Sequence, residues 1–248
     1  MFTASGPKPA IILIPASFSP LSLYTAVTTD LESHGYTVHG VELQTVGRRA
    51  TLPSMYDDAA VVAAVASELA EARKDIVLVA HSYGGLVACE AAKGLAKRVR
   101  EREGKEGGIA RIVFVAAVVP GEGESLMDLK DDGYFVIDVA RYAEKSYSDV
   151  PLDEALSWAS QMREHAAASL QQKLTYAAYK DISVAYLVCE EDRAIVPELQ
   201  NSFIVAMESQ MGEMRVDRHS VKSGHHINAS QPAVMAETIE NCTKLPSL

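Results

Sequence analysis

The chain has 248 residues, of which 48% are hydrophobic and 23% are charged, and its net charge is −10. This balance is typical of a globular protein with a full core, and an α/β chain of this length usually forms one domain. Nucleic acids and anionic membranes bind basic surfaces, so the negative charge argues against both as partners.

The cysteines and the N-terminal segment exclude further classes. Cys89, Cys189 and Cys242 are too few and too scattered for a disulfide framework, and no metal-ligand spacing links them, so we expect no metal. Residues 1–9 lack the charged and apolar regions of a secretory signal, and no apolar segment approaches the length of a membrane span. These features predict a cytoplasmic location.

Strand-like and helix-like segments alternate along the chain, which is typical of a mostly parallel sheet flanked by helices on both faces. The predicted strands are residues 10–14, 37–41, 76–80, 111–117, 184–189 and 214–221. The predicted helices are residues 21–34, 57–72, 86–96, 198–209 and 232–242. We expect one α/β domain over residues 1–248.

One connection is far longer than usual. About sixty residues, 120–182, separate two predicted core strands, and they contain helix-like stretches at 152–165 and 166–179. Such an insertion cannot fit inside a sheet, so we expect a helical cap above the carboxyl edge. We predict that Tyr134 and Trp158 in the cap and Phe18 outside it contact substrate. Packing of the cap aromatics on the cap itself is the competing interpretation.

The segment Ala80-His81-Ser82-Tyr83-Gly84 carries the strongest functional signal. A strand-like run precedes Ser82 and a helix-like run follows it. This is the context of a nucleophile elbow, where a tight turn exposes a serine hydroxyl above a parallel sheet. Small residues are needed two positions before and two positions after the serine, because strand and helix nearly touch there. Ala80 and Gly84 meet that need.

A serine nucleophile needs a base to take its proton and a third group to orient the base. In this architecture an acid and then a histidine follow the serine, each after a later strand. Glu190, Glu191 and Asp192 follow one strand-like run, and we choose Asp192 because the chain has left the strand there. His225 is preferred to its neighbour His226 because it directly follows a flexible glycine.

The tetrahedral intermediate of acyl transfer needs two backbone N–H donors for its oxyanion. The residue after the nucleophile, Tyr83, is expected to provide one. The loop after the first strand is expected to provide the other, and Ser17 is our choice within it. His165 in the cap is left open between a surface position and a substrate contact.

Taken together, these segments resemble the α/β-hydrolases, in particular the branch of plant methylesterases and hydroxynitrile lyases and their microbial relatives. The resemblance covers nearly the whole chain and matches Ser82, Asp192 and His225 to the triad. Relatives usually carry His-Gly where this chain has Pro15-Ala16. The lyases place a threonine in that loop and a lysine after the catalytic histidine, where this chain has Ala16 and His226. The resemblance therefore disfavours cyanohydrin cleavage.

The leading hypothesis is a cofactor-free serine hydrolase that cleaves a carboxylic ester or lactone of a small to medium apolar substrate. Two alternatives stay open. One is a non-hydrolytic lyase or cyclase reaction in the same pocket, since fold does not fix chemistry. The other is a receptor-like pseudoenzyme that binds ligand without turnover. The oligomeric state is also open, with a homodimer as one option.

Overall fold

The computed structural model describes residues 7–126 and 133–244, and a six-stranded parallel sheet forms its centre. The strands in chain order are β1 (Ala10–Ile14), β2 (Val38–Gly40), β3 (Asp75–His81), β4 (Gly108–Val115), β5 (Tyr134–Phe135), β6 (His165–Ala166), β7 (Ser183–Cys189) and β8 (Asp217–Val221). The central sheet has the order β2-β1-β3-β4-β7-β8, and every neighbouring pair in it is parallel. The alternation of strands and helices predicted this arrangement.

Helices cover both faces of the sheet. They are α1 (Thr25–Ser33), α2 (Met55–Glu71), α3 (Gly84–Ala91), α4 (Lys97–Arg102), α5 (Val139–Ser146), α6 (Leu152–Ala159), α7 (Pro197–Glu208), α8 (Ile227–Ser230) and α9 (Pro232–Thr243). Ile76 and Leu78 of β3 belong to a core layer shared with α2, α3 and α7. Val77 and Val79 belong to the layer on the opposite face, shared with α1 and α9. Because side chains alternate along a strand, a wholly apolar run supplies both layers.

The start of α2 shows how local sequence sets an element boundary. The helix begins two residues before the predicted start, because Ser54 caps it. The Ser54 side chain accepts a hydrogen bond from Asp57 N at 3.2 Å, and the Asp57 carboxylate accepts one from Ser54 N at 2.7 Å. These reciprocal bonds use two of the N–H groups that a helix start leaves free.

The connection between β4 and β7 contains α5, α6 and a small antiparallel sheet of β5 and β6. The helix predicted over residues 166–179 is wrong: only short 3-10 segments occur there, at Ala167–Leu170 and Ala178–Lys180. Pairing of β6 with β5 draws Ala166 into an extended conformation, and this tertiary contact overrides the helix propensity of the alanines. Within the described residues, every helix is too short or too polar to cross a lipid bilayer.

Candidate active site

Ser82 lies in the tight turn between β3 and α3 at the carboxyl edge of the sheet. Its φ of 54° is in the left-handed region, which a non-glycine residue occupies only when the surroundings enforce it. Two hydrogen bonds hold the turn, one from Ser82 N to Val115 O and one from Val118 N to Ser82 O, both 3.0 Å long. The neighbouring strand β4 and the residues after it therefore fix the conformation that presents the hydroxyl.

Ser82, His225 and Asp192 form a continuous hydrogen-bonded chain. The His225 Nε2 to Ser82 Oγ distance is 2.9 Å, and the His225 Nδ1 to Asp192 Oδ2 distance is 2.6 Å. All three residues are buried. With an acceptor at Nδ1, the imidazole carries its proton there, and Nε2 accepts the hydrogen bond from the serine hydroxyl.

Asp192 is held by its own turn and by α7. Its Oδ1 accepts hydrogen bonds from Ala194 N and Ile195 N, each 2.8 Å long. The Gln200 amide donates to Asp192 Oδ2 at 3.3 Å and to Ile195 O at 2.6 Å. These donors leave Oδ2 oriented toward the imidazole, which fixes the position of the histidine.

The competing acid and base residues lie elsewhere. Glu190 and Glu191 are exposed, and the Glu190 carboxylate accepts a hydrogen bond from Ser220. His226 is buried, but its Nε2 lies 2.8 Å from the Tyr142 hydroxyl rather than near the serine. The structure thus brings together Ser82, Asp192 and His225, the three residues that the sequence analysis chose.

The two expected oxyanion donors belong to residues that line the same cavity as Ser82. Ser17 and Phe18 form a turn closed by the hydrogen bond from Ser19 N to Ala16 O, and Phe18 has a φ of 65°. Ser17 and Tyr83 both line the cavity at Ser82. In the part of the chain that the structure describes, no protein group accepts a hydrogen bond from either backbone N–H. Both donors are therefore available to an oxyanion.

Two further histidines pack against His225. His81 and His226 lie with ring centroids 5.1 Å and 5.2 Å from the His225 ring. Burial, reinforced by the nearby His225, holds the pKa of both well below the usual range. Both are therefore neutral, and this is the state that least opposes a positive charge on His225.

A cavity of about 400 Å³ opens above Ser82 and His225, within the size range of small-molecule sites. Its wall is apolar and includes Phe18, Val118, Leu126, Phe135, Leu170 and Ile195. Among the described residues, no Asp, Glu, Lys or Arg side chain lines it. The described part of the cavity wall is therefore uncharged and mostly apolar.

The cap residues predicted to contact substrate do not line this cavity. The Tyr134 hydroxyl accepts a hydrogen bond from Arg49 N at 3.0 Å, and Trp158 packs between α5–α6 and the sheet layer. Phe135 lines the cavity instead, because successive side chains of a strand point to opposite sides. Tyr142 on α5 also lines it. The sequence analysis singled out neither residue among the cap aromatics.

Sequence reasoning also missed the buried carboxylate of Asp58 on α2. It accepts hydrogen bonds from the Tyr83 hydroxyl at 2.9 Å, from Thr45 Oγ1 at 2.6 Å and from the backbone N–H groups of Gln44 and Thr45. Asp58 therefore anchors the side chain of the residue that follows the nucleophile. Its position in the first turn of a helix gave no signal of this contact.

One cluster outside the cavity has the residue types of a metal site. Ligand atoms of Asp217, His219 and Cys242 lie within 4.8 Å of one another. The buried Arg111 guanidinium already pairs with the Asp217 carboxylate, so an arginine occupies the place of a cation. We assign this cluster a structural role.

Comparison with known proteins agrees with the fold. The model of the alpha/beta hydrolase family matches residues 11–238. A probable hydrolase from Phoma sp. is 30% identical over 94% of this chain and 97% of its own length. An extracellular α/β-hydrolase from a Paenibacillus species superposes with a TM-score of 0.74 at 21% identity, covering 96% of this chain and all of the other. Polyneuridine aldehyde esterase gives 0.74 at 17% identity, with 96% and 100% covered. The chain belongs to the alpha/beta hydrolase family.

Proposed function

We propose that this protein is a serine hydrolase of carboxylic esters or lactones. The observation that carries the proposal is the hydrogen-bonded chain from Asp192 through His225 to Ser82, at the floor of an apolar cavity. The relatives named as a hydrolase and an esterase support the same class of reaction.

The mechanism follows from the direction of these hydrogen bonds. Ser82 Oγ attacks the carbonyl carbon of the substrate while His225 Nε2 takes its proton, and Asp192 stabilises the imidazolium that forms. The N–H groups of Ser17 and Tyr83 bind the oxyanion. His225 returns the proton to the departing alcohol oxygen. Water then attacks the acyl-enzyme with His225 as base, and Ser82 is regenerated.

The cavity wall supports an uncharged, apolar acyl group as the substrate class. Its apolar wall would contact the acyl group, and the lack of charged lining side chains among the described residues makes a charged acyl group costly to bury. We expect p-nitrophenyl butyrate or hexanoate to be cleaved with a higher kcat/KM than the acetate. The monoester of a dicarboxylic acid of similar length is expected to be a poor substrate.

Active-site labelling tests the proposal directly. A fluorophosphonate probe is expected to label the native protein covalently and to leave Ser82→Ala unlabelled. Ser202→Ala, which changes an exposed serine on α7, is the matched control and is expected to label like the native protein. Labelling of Ser82→Ala at the native level, or no labelling of the native protein, contradicts the assignment.

A further inference from the structure

His81 stands directly before the nucleophile, and the mechanism does not use its imidazole. The side chain is fully buried, and both ring nitrogens have partners. Nδ1 lies 2.7 Å from the Tyr24 hydroxyl, and Nε2 lies 2.9 Å from the backbone oxygen of His225. Hydrogen bonds from both nitrogens of a buried imidazole restrict the positions of both partner groups.

The partners determine which way each hydrogen bond runs. The His225 oxygen can only accept, so His81 Nε2 carries the proton and donates it. His81 Nδ1 then accepts from the Tyr24 hydroxyl, which leaves the Tyr24 oxygen to accept from Ala16 N at 2.9 Å. Each hydrogen is used once, so the three bonds form one directed chain.

Both side chains keep the protonation state that this chain requires. Burial raises the pKa of Tyr24 and, with the nearby His225, lowers that of His81. A protonated His81 would carry a hydrogen on Nδ1 and could no longer accept from the Tyr24 hydroxyl, so the chain would break. Neutral partners keep the direction of the hydrogen bonds fixed near neutral pH.

The chain joins the two loops that must act together on the substrate. Ala16 directly precedes Ser17, an expected oxyanion donor, and His225 is the expected base. A second hydrogen bond links the same two parts of the chain: Asn228 Nδ2 donates to Leu23 O at 3.0 Å. The short 3-10 segment Leu21–Tyr24 is thus connected to His225 through His81 and bonded directly to Asn228 on α8.

From this geometry we propose that Tyr24 and His81 are positioning residues that hold the Ser17 loop and the His225 loop at a fixed separation around Ser82. The inference rests on the proposed function, since it assigns the two loops their roles in hydrolysis. An oxyanion donor stabilises the transition state more than it stabilises the bound substrate. If the loop that carries the donor shifts, kcat therefore falls while KM changes little.

The first test is Tyr24→Phe, which removes one hydroxyl and leaves the ring. The matched control is Tyr36→Phe, because the Tyr36 hydroxyl is also buried and bonds to Thr243 Oγ1 at 2.8 Å, away from the site. For p-nitrophenyl butyrate we expect Tyr24→Phe to lower kcat about tenfold with KM changed less than about twofold. We expect Tyr36→Phe to keep the native kcat. The rate of fluorophosphonate labelling is expected to follow kcat.

The second test is a double-mutant cycle with His81→Leu. Because the two side chains act through one chain of hydrogen bonds, the loss of kcat in the double variant is expected to be smaller than the product of the single losses. Multiplicative losses overturn the inference, as does a native kcat in Tyr24→Phe or an equal loss in Tyr36→Phe. If His81→Leu does not fold, the tyrosine pair alone decides. If the native protein neither labels nor turns over esters, the proposed function itself is overturned. This result differs from failure of the positioning proposal, which shows only in the variants.

Discussion

At the scale of single residues, Tyr83 has two parts with separate roles. Its backbone N–H is an expected oxyanion donor at the cavity that the residue lines, while its hydroxyl donates to the buried Asp58 carboxylate. Burial raises the pKa of Asp58, and the hydrogen bonds from Thr45, Tyr83 and Gln44 oppose that rise. A buried carboxylate is tolerated only when such donors compensate for lost hydration, so each donor matters for stability.

Tyr83→Phe is therefore expected to destabilise the fold by about 1.5–3 kcal/mol, the range for a hydrogen bond to a charged group. Urea unfolding measures the loss. Tyr186→Phe is the control, because the Tyr186 hydroxyl is also buried but donates to a neutral acceptor, Ala117 O, at 2.6 Å. It is expected to lose about 1 kcal/mol. Equal losses in the two variants would show that the charge on Asp58 is unimportant.

The structure brings the residues predicted from sequence together where neighbours along the chain decide the geometry. Ser82 lies between small residues at a strand end, and His225 follows Gly224. The N–H groups of Ala194 and Ile195, which belong to the same turn, bind the carboxylate of Asp192, the residue chosen over Glu191. Asp58 was missed because its partners come from segments distant in sequence, and no local pattern reports such a contact.

At the scale of elements, the approach of α3 to β1 sets a strict limit on residue size. A Cβ added at Gly84 would lie 2.8 Å from Ile14 O and 2.9 Å from Pro15 O. Both contacts are with backbone, which cannot rotate away. The small residue that the elbow pattern requires is therefore a condition for packing the first helix turn against the strand that leads into the Ser17 loop.

We expect Gly84→Ala to cost about 1–3 kcal/mol of unfolding free energy, as overpacking does, because β1 and α3 must move apart. Thermal or urea unfolding checks this. Gly121→Ala is the matched control, since the nearest atom to its added Cβ is the flexible Glu124 carboxylate at 3.1 Å. Its effect is expected to stay within about 0.5 kcal/mol. A similar, small effect in both variants would contradict the steric argument.

The insertion between β4 and β7 shows the limit of sequence reasoning for elements. Its position followed from its length, but the identity of the residues that line the cavity did not. In a two-residue strand such as β5, a choice between Tyr134 and Phe135 is a choice between the two sides of the strand. Only the pairing of β5 with β6 settles which side faces Ser82.

At the scale of the whole molecule, the buried histidines make stability depend on pH. His81, His165 and His226 are buried, and burial is the largest cause that lowers the pKa of each. The pKa of His165 falls to about 3, and among the described residues its Nδ1 has no hydrogen-bond partner. The unfolded chain binds protons on these groups at a higher pH than the folded chain does, so acidification favours unfolding.

The sign and size of this effect can be worked out for His165. Its pKa is about 6.5 in the unfolded chain and about 3 when folded, so its contribution to stability is present above pH 6.5 and is lost as pH falls. Between pH 7 and pH 5 this loss is about 2 kcal/mol. In urea unfolding at the two pH values, His165→Gln is expected to reduce the loss on acidification by that amount, whatever its stability at pH 7. Ser202→Ala, at an exposed position without a titratable side chain, is the control and is expected to keep the native pH dependence. An unchanged pH dependence in His165→Gln would mean that the His165 site admits a proton in the folded protein.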